Sequence, residues 1–305
     1  MTKIYKYFPQ GILDVVFQRD GFCGLKCSYP KDYNDPFELF LAVDLTIQPR
    51  LLAFYSDVVQ EIPQLPTTCF SKSPTVTPMW AHYGGNQTGF VLEFDADALK
   101  EWDTDLALTD VTYRNEPNDK LVGEIAYAAG TKKPRHSYFL MRHAFHAAYF
   151  TKLEQWSYEQ ECRLVASPDN IETINDCQVL FIPLKLVTSI VIGPNFPVDK
   201  VRDSKNLGEK NGFDWYQLSI GKSTSIPYMK NIDGKSFNFS DSSIVKASAI
   251  CSNCEEPISD KSELCPWCNI TESDKINAAH SNPLRIIDRY GGLEEYFRGA
   301  DKIGK

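Results

Sequence analysis

No run of about 18 apolar residues occurs in this 305-residue sequence, so none of it reads as a membrane-spanning helix. The N-terminus, Met1-Thr2-Lys3-Ile4-Tyr5-Lys6-Tyr7, lacks the apolar stretch and small-residue cleavage site of a secretory signal. Both absences predict a cytoplasmic protein with no membrane partner. A glycine-rich phosphate loop is also missing: Gly84-Gly85-Asn86 reads as a turn, which argues against a doubly wound nucleotide fold. The five histidines form no HExxH-type set. Nor is there a basic surplus, since 32 Lys and Arg stand against 40 Asp and Glu for a net charge of −8. That balance does not favour nucleic acid as the main partner, although a local basic groove can sit within an acidic whole.

What is present points to an α+β fold with a mixed or antiparallel sheet core and flanking helices. Short runs of alternating apolar and polar residues predict strands at Ile4–Phe8, Gly24–Ser28, Thr67–Ser71, Gly89–Phe94, Leu106–Tyr113, Cys162–Ala166, Val179–Pro183, Ser189–Ile192 and Trp215–Leu218. Helical patterns fall at Pro49–Glu61, Asp119–Ala129 and a long stretch from Arg135 to Trp156, with a shorter one at Gly11–Arg19. Strands and helices follow no strict βαβ rhythm. From Gly221 to Ser248 the chain is rich in Ser, Lys, Asn and Asp and reads as a connector. The predicted domains are therefore 1–230 as the main domain, 231–248 as linker, 249–272 as a zinc ribbon and 273–305 as a C-terminal helical segment.

The nine cysteines divide unevenly. Cys251-Ser252-Asn253-Cys254 and Cys265-Pro266-Trp267-Cys268, ten residues apart, allow two tight turns to present four thiolates to one Zn²⁺. Four protein ligands leave no open coordination position, so the role read here is structural. Glu255, Glu256, Asp260, Lys261 and Glu263 make the ribbon acidic on balance, and a tetrathiolate zinc centre is itself negative. Such a module should repel a phosphate backbone, so the expected partner is protein or a second copy of the chain, with Trp267 as a contact or packing residue. Cys23, Cys27, Cys69, Cys162 and Cys177 read as buried thiols.

Polar clusters beside the apolar strands mark a candidate site. They are Tyr5-Lys6-Tyr7; Asn34-Asp35-Pro36-Phe37-Glu38; Cys69-Phe70-Ser71 with Met79-Trp80-Ala81-His82-Tyr83; and Lys152 with Trp156-Ser157-Tyr158-Glu159-Gln160-Glu161-Cys162-Arg163. If the last is extended, Glu159, Glu161 and Arg163 share one face, with the carboxylates about 7 Å apart. That pair can do acid and base work or hold a sugar hydroxyl, with Arg163 keeping one member ionised; the same spacing also fits a salt-bridge ladder. Phe139, His143, His146 and Phe150 fall on one helix face at i, i+4, i+7 and i+11, which reads as packing or cleft lining.

Taken in order, these clusters resemble the signature of the bacterial domain-of-unknown-function family 2971 over about residues 3–195. The layout also resembles, more distantly, the ADP-ribosyltransferases, which carry a His or Arg on an early strand, a Ser or Tyr on a middle one and a Glu on a late one. The resemblance implies Glu161 as the late glutamate, Glu159 as its upstream partner, Ser71 or Tyr83 in the middle position and Lys6 or Tyr7 in the first, where no His or Arg stands here. It further implies NAD as substrate, with Tyr83 or His82 stacking on nicotinamide, Arg163 orienting the glutamates or meeting a phosphate, and a macromolecular acceptor. Families of this kind resemble accessory genes of bacterial defence islands, which implies a role in restricting phage. Two other classes fit the residues: a metal-dependent nuclease using Asp35, Glu38, Glu159, Glu161 and Lys152, and a non-enzymatic sensor or scaffold that works through the ribbon.

Overall fold

A computed structural model describes residues 2–33, 43–60, 62–103, 106–258 and 262–302. The chain begins with β1 (Lys3–Phe8), a single helical turn α1 (Leu13–Val16) and β2 (Phe22–Cys27). Then come α2 (Pro49–Gln60), β3 (Thr67–Ser71), α3 (Thr77–His82), β4 (Phe90–Asp95) and α4 (Ala96–Trp102). The middle of the chain holds β5 (Ala107–Asp110), β6 (Thr112–Arg114), α5 (Asp119–Thr131), α6 (Pro134–Tyr149), β7 (Thr151–Leu153) and β8 (Glu161–Val165). β9 (Ile171–Ile174), β10 (Cys177–Pro183), β11 (Val187–Ile192), α7 (Val198–Asn211) and β12 (Asp214–Ser219) follow. Three strands, β13 (Tyr228–Asn231), β14 (Ser236–Ser240) and β15 (Ser243–Lys246), precede the cysteine pairs. Three helices, α8 (Glu272–Ser281), α9 (Pro283–Arg289) and α10 (Leu293–Ala300), follow the pairs.

Ten strands form one mixed sheet in the order β15-β14-β13-β12-β11-β4-β1-β3-β8-β5, so the α+β class holds. β4 lies between β1 and β11 and is covered on both faces, with Phe90, Leu92 and Phe94 on one side and Val91 and Glu93 on the other, where Glu93 accepts from the Tyr5 hydroxyl. On one face Ile4, Phe8, Phe70, Leu92 and Ile190 pack against Leu25, Leu180 and Ile182 of the small β2-β10-β9 sheet. On the other, Tyr5, Tyr7, Trp80, Val91 and Val191 form a second core. Phe239 of β14 meets the Tyr5 ring edge-on at 5.7 Å. Five strand spacings separate β14 from β1, about 24 Å in a flat sheet, so this end of the sheet coils over β1. A third core joins α2, α5 and α6.

β1 and β3 pair through the single partner set Tyr5 and Ser71. At its other end β3 pairs instead with the residue after β2, through a Ser28–Thr67 bridge. Between these two attachments β1 and β3 part company, and the cleft described below opens in the gap.

Several local expectations need correcting. Leu106–Tyr113 is not one strand: it breaks at Val111, with β5 joining β8 in the large sheet and β6 joining β7 in a separate parallel pair. The long helix stops at Tyr149, where Phe150 leaves helical geometry and β-branched Thr151 starts β7. Of the stripe on α6 only Phe150, buried just past the helix end, packs inward. Phe139 is 54% exposed and His143 and His146 face solvent, while Leu140, Ala144 and Ala147 take the core because small residues let α5 approach. The segment 231–248 is not a free linker, since β14 and β15 extend the sheet through a two-residue turn in which Asp241 and Ser242 both have positive φ. Among the five non-pair cysteines, Cys177 is exposed at the start of β10 and Cys69 is half-buried. No helix among the described residues is long and apolar enough to cross a membrane.

Candidate functional site

A cleft of about 600 Å³ opens between β1 and β3. Its lining gathers Lys6 and Tyr7 of β1, Ser71 of β3, and His82 and Tyr83 at the end of α3. Glu159, Glu161 and Arg163 complete it on the β8 side. All eight sequence-predicted main-domain residues therefore reach one cavity. Asp35 and Glu38 lie outside the described residues, as do Asn34, Pro36 and Phe37.

Register explains part of this convergence. Tyr5, Ser71 and Glu161 are Cα partners across three antiparallel strands, which puts their side chains on the same face. Arg163 stands two residues along β8 on that face, beside Cys69. Glu159 arrives differently from the extended reading: it ends a 3₁₀ turn over Glu154–Glu159, and Gln160 then takes a left-handed conformation with φ 46°. The turn carries the Glu159 carboxylate back beside Glu161. Lys152 comes from β7, whose pairing with β6 places it opposite Tyr113.

The result is a buried four-charge network at the wall of the cleft. Lys152 Nζ donates to Glu159 Oε2 at 2.6 Å and to Glu161 Oε2 at 3.2 Å. Arg163 grips Glu161 in a bidentate fork, Nε to Oε1 at 2.8 Å and Nη2 to Oε2 at 3.1 Å, and its Nη1 donates to the Tyr149 carbonyl. Tyr83 Oη donates to Glu159 Oε1 at 2.6 Å, and the Glu161 backbone N–H donates to Tyr113 Oη at 2.7 Å. Lys152, Glu159, Glu161 and Arg163 are each at most 5% exposed. Aromatic faces complete the cation environment, with Lys152 Nζ 4.8 Å from the Trp156 ring and Arg163 4.9 Å from that of Tyr33.

These contacts set the charges. Burial alone would lift the Glu161 carboxyl, but the Arg163 charge and its hydrogen bonds, with Lys152, outweigh burial and hold it at about 2. Glu159 has no guanidinium, and its burial wins over Lys152, so its carboxyl is raised. Lys6 Nζ, 2.9 Å from the Cys69 carbonyl, is lowered by desolvation. With Lys6, Lys26 and Asp32 counted, four basic residues line the cleft against three acidic ones, a surplus that suits an anionic group on a ligand. Thr68, 1% exposed, also lines the cleft, and its hydroxyl has no partner among the described residues.

Some predicted residues are committed elsewhere. Tyr7 Oη donates to the Ser73 carbonyl and its ring packs edge-on against Trp80, so it braces the wall it lines. Ser71 Oγ accepts the Ser73 N–H. His82 stands at the solvent-facing mouth, tilted against Tyr158. Tyr113 and Thr68 escaped the sequence reading. Neither sits in a charged cluster, and only strand register reveals them.

The second site is the cysteine quartet. The sulfurs of Cys251, Cys254, Cys265 and Cys268 lie within 4.8 Å of one another, with Cys254 and Cys265 3.8 Å apart. A tetrahedron of about 2.3 Å metal–sulfur bonds has edges of about 3.8 Å, so the quartet can hold a metal ion. The module is docked, not loose. Glu256, 1% exposed, accepts from the Lys222 and Ser223 backbone N–H groups and the Ser223 hydroxyl at 2.9–3.0 Å. Lys230 pairs with Glu255 at 2.6 Å. Two of the acidic residues counted against a phosphate partner are thus consumed within the molecule, and Asp260 and Lys261 lie outside the described residues. Trp267 is 60% exposed and belongs to none of the core clusters among the described residues.

Residues 79–164 match the model of a family described as protein of unknown function (DUF2971). The match bears out the family resemblance over that span, which holds the Met79–Tyr83 and Trp156–Arg163 clusters. The clusters at residues 5–7, 34–38 and 69–71 fall outside it. No curated protein and no solved structure matches the chain.

Proposed function

We propose that the cleft between β1 and β3 takes NAD and that the protein transfers ADP-ribose to a macromolecule or to water. One observation carries the reading: Lys6, Ser71, Tyr83 and Glu161, distributed over β1, β3, the end of α3 and β8, reach a single cavity large enough for part of a dinucleotide. The alternative nuclease would need acidic residues converging on a cation. Among the described residues the one cluster able to hold a metal is the cysteine quartet.

The reaction breaks the bond between nicotinamide and ribose. The electron pair leaves with the nicotinamide nitrogen, positive charge develops on the ribose, and the acceptor loses a proton as its oxygen or nitrogen bonds to the anomeric carbon. A permanently ionised carboxylate is the group that such charge calls for, and Arg163 with Lys152 keeps Glu161 in that form. Glu159, with its raised carboxyl, is the candidate proton acceptor for the incoming nucleophile. Tyr83, hydrogen-bonded to Glu159, orients it, and Tyr83 or His82 supplies an aromatic face for nicotinamide. Lys6 meets a phosphate oxygen. We further infer that the cysteine quartet binds Zn²⁺ in a structural role and that the ribbon contacts protein through Trp267. Consumption of NAD or modification of a host macromolecule would serve the phage restriction that the family resemblance implies.

The test incubates metal-loaded protein with NAD and follows nicotinamide release and ADP-ribose on macromolecules of a lysate by mass spectrometry. Activity lost in Glu161→Gln and in Glu159→Gln, with both variants folded by circular dichroism, is the expected outcome. Neither NAD binding nor modification by the wild-type protein would sink the reading.

A further inference from the structure

Between Glu124 and Glu154 the chain carries no acidic residue, which is unusual in a protein with a net charge of −8. The stretch includes the tight corner between α5 and α6 and the whole of α6. Lys132, which closes α5 in a left-handed conformation, stands with Lys133, Arg135 and Arg142 in solvent. None of the four is in an ion pair among the described residues. Along α6, Arg135, Tyr138, Phe139, Arg142, His143 and His146 fall at i, i+3, i+4, i+7, i+8 and i+11, a single stripe about 16 Å long. The rings in it are bare: Tyr138 is 51% and Phe139 54% exposed, and Tyr127 on α5, 61% exposed, lies tilted against His136 at 4.7 Å. Among the described residues one carboxylate pairs with the stripe, Glu124, which meets His143 at 2.6 Å.

We propose that this face of α5 and α6 binds single-stranded nucleic acid. Cations and exposed rings alternate within one helical turn of each other, which matches the alternation of phosphates and unstacked bases along a single strand. A duplex hides its base faces and would leave Tyr138 and Phe139 with nothing to stack on. A lipid surface needs an apolar helix face to bury, and that of α6 is already spent on Leu121, Ile125 and the core around them. The whole-chain charge of −8 does not decide the matter, since a bound strand responds chiefly to the charges within about a Debye length of it, about 10 Å at 0.1 M salt. The inference stands independently of the NAD reading, because it concerns binding and uses none of the cleft residues.

The test is fluorescence anisotropy of full-length, metal-loaded protein with labelled oligo-dT and oligo-U of about 20 nucleotides at about 50 mM salt. Four phosphate contacts predict a log–log salt slope of about −3 on single strands. Arg135→Glu/Arg142→Glu should weaken binding at least about tenfold and flatten that slope. Phe139→Ala should weaken it about fivefold or more with the slope unchanged, as lost stacking does. Lys246→Glu, an exposed charge on β15, should leave affinity within about twofold. All four positions are exposed, and unchanged urea midpoints show that the fold is kept. No binding of either oligonucleotide, an unaffected double charge reversal, duplex bound as tightly as single strand, or preference for phosphatidylserine vesicles would each overturn the proposal.

Discussion

Replacing Lys152 by methionine keeps the unbranched stem, one atom shorter, and removes the cation shared by Glu159 and Glu161. At 2.6 and 3.2 Å and an effective dielectric constant of about 20, each contact is worth about 5–6 kcal/mol before desolvation is counted. Desolvation of the ammonium offsets much of that, and deleting one partner of a buried pair leaves a net loss of about 3–5 kcal/mol, because the carboxylates stay buried without it. Glu161 keeps its Arg163 fork, so the loss concentrates on Glu159, which among the described residues is left with the Tyr83 hydroxyl. Its carboxyl, already raised by burial, then rises further and takes up a proton in the folded state. A carboxyl raised in the folded state contributes stability that is fully present below its unfolded value of 4.5 and is lost as pH climbs from there through the folded value, so Lys152→Met should be more stable at pH about 5 than at pH about 8. Urea midpoints at both pH values measure this. Adding Glu159→Gln removes the stranded charge and should restore about 2 kcal/mol or more at the higher pH. A loss under about 1 kcal/mol in the single variant, or no recovery in the double, would refute the network as drawn.

Elemental analysis should find one metal ion per chain, and Cys251→Ser should lose it together with amide protection over residues 249–258, while β1 and β4 keep theirs. Glu161, held at about 2 where its ordinary value is 4.5, contributes about 3 kcal/mol that is fully present above pH about 4.5 and disappears as pH falls toward 2. Urea midpoints of wild type should drop over that range, and Glu161→Gln should flatten the drop. At Gly89 an added Cβ would lie 2.0 Å from the Phe8 carbonyl oxygen, so Gly89→Ala should cost about 3 kcal/mol or more in a thermal melt by forcing β1 from β4.

How much of this could be read beforehand depended on whether the cause was local. Thr67–Ser71 starts with two β-branched residues between Pro66 and Pro74, and Val187–Ile192 is largely β-branched, and both form strands at or close to where those local signals put them. Glu159 and Glu161 were legible as a pair, yet the residue between them adopts a left-handed turn, and a two-residue period cannot announce that. Lys152 was legible as a member of the same cluster, but its place on a strand was not: the helical period running from Arg135 continues on paper past Tyr149, whereas the chain turns into β7. Periodicity also said which residues of α6 share a face without saying which face is inside, and Ala144 and Ala147 decided it by being small. β14 and β15 look polar because their edges of the sheet meet solvent, and their turn, Asp241-Ser242, lacks the glycine that usually signals a hairpin. Burial of Glu256 depends on backbone N–H groups more than thirty residues away, which composition does not record.

The single Tyr5–Ser71 pairing makes β1 and β3 neighbours that are barely stitched together, although one belongs to the half of the sheet built on β4 and the other to the half built on β8. A small molecule seated in the gap bridges both halves and acts as a rivet. Occupancy would then register as a raised melting temperature, growing with the logarithm of ligand concentration over Kd, whatever reaction follows. A panel of nucleotides and dinucleotides read by thermal shift would therefore identify the occupant before any product is known.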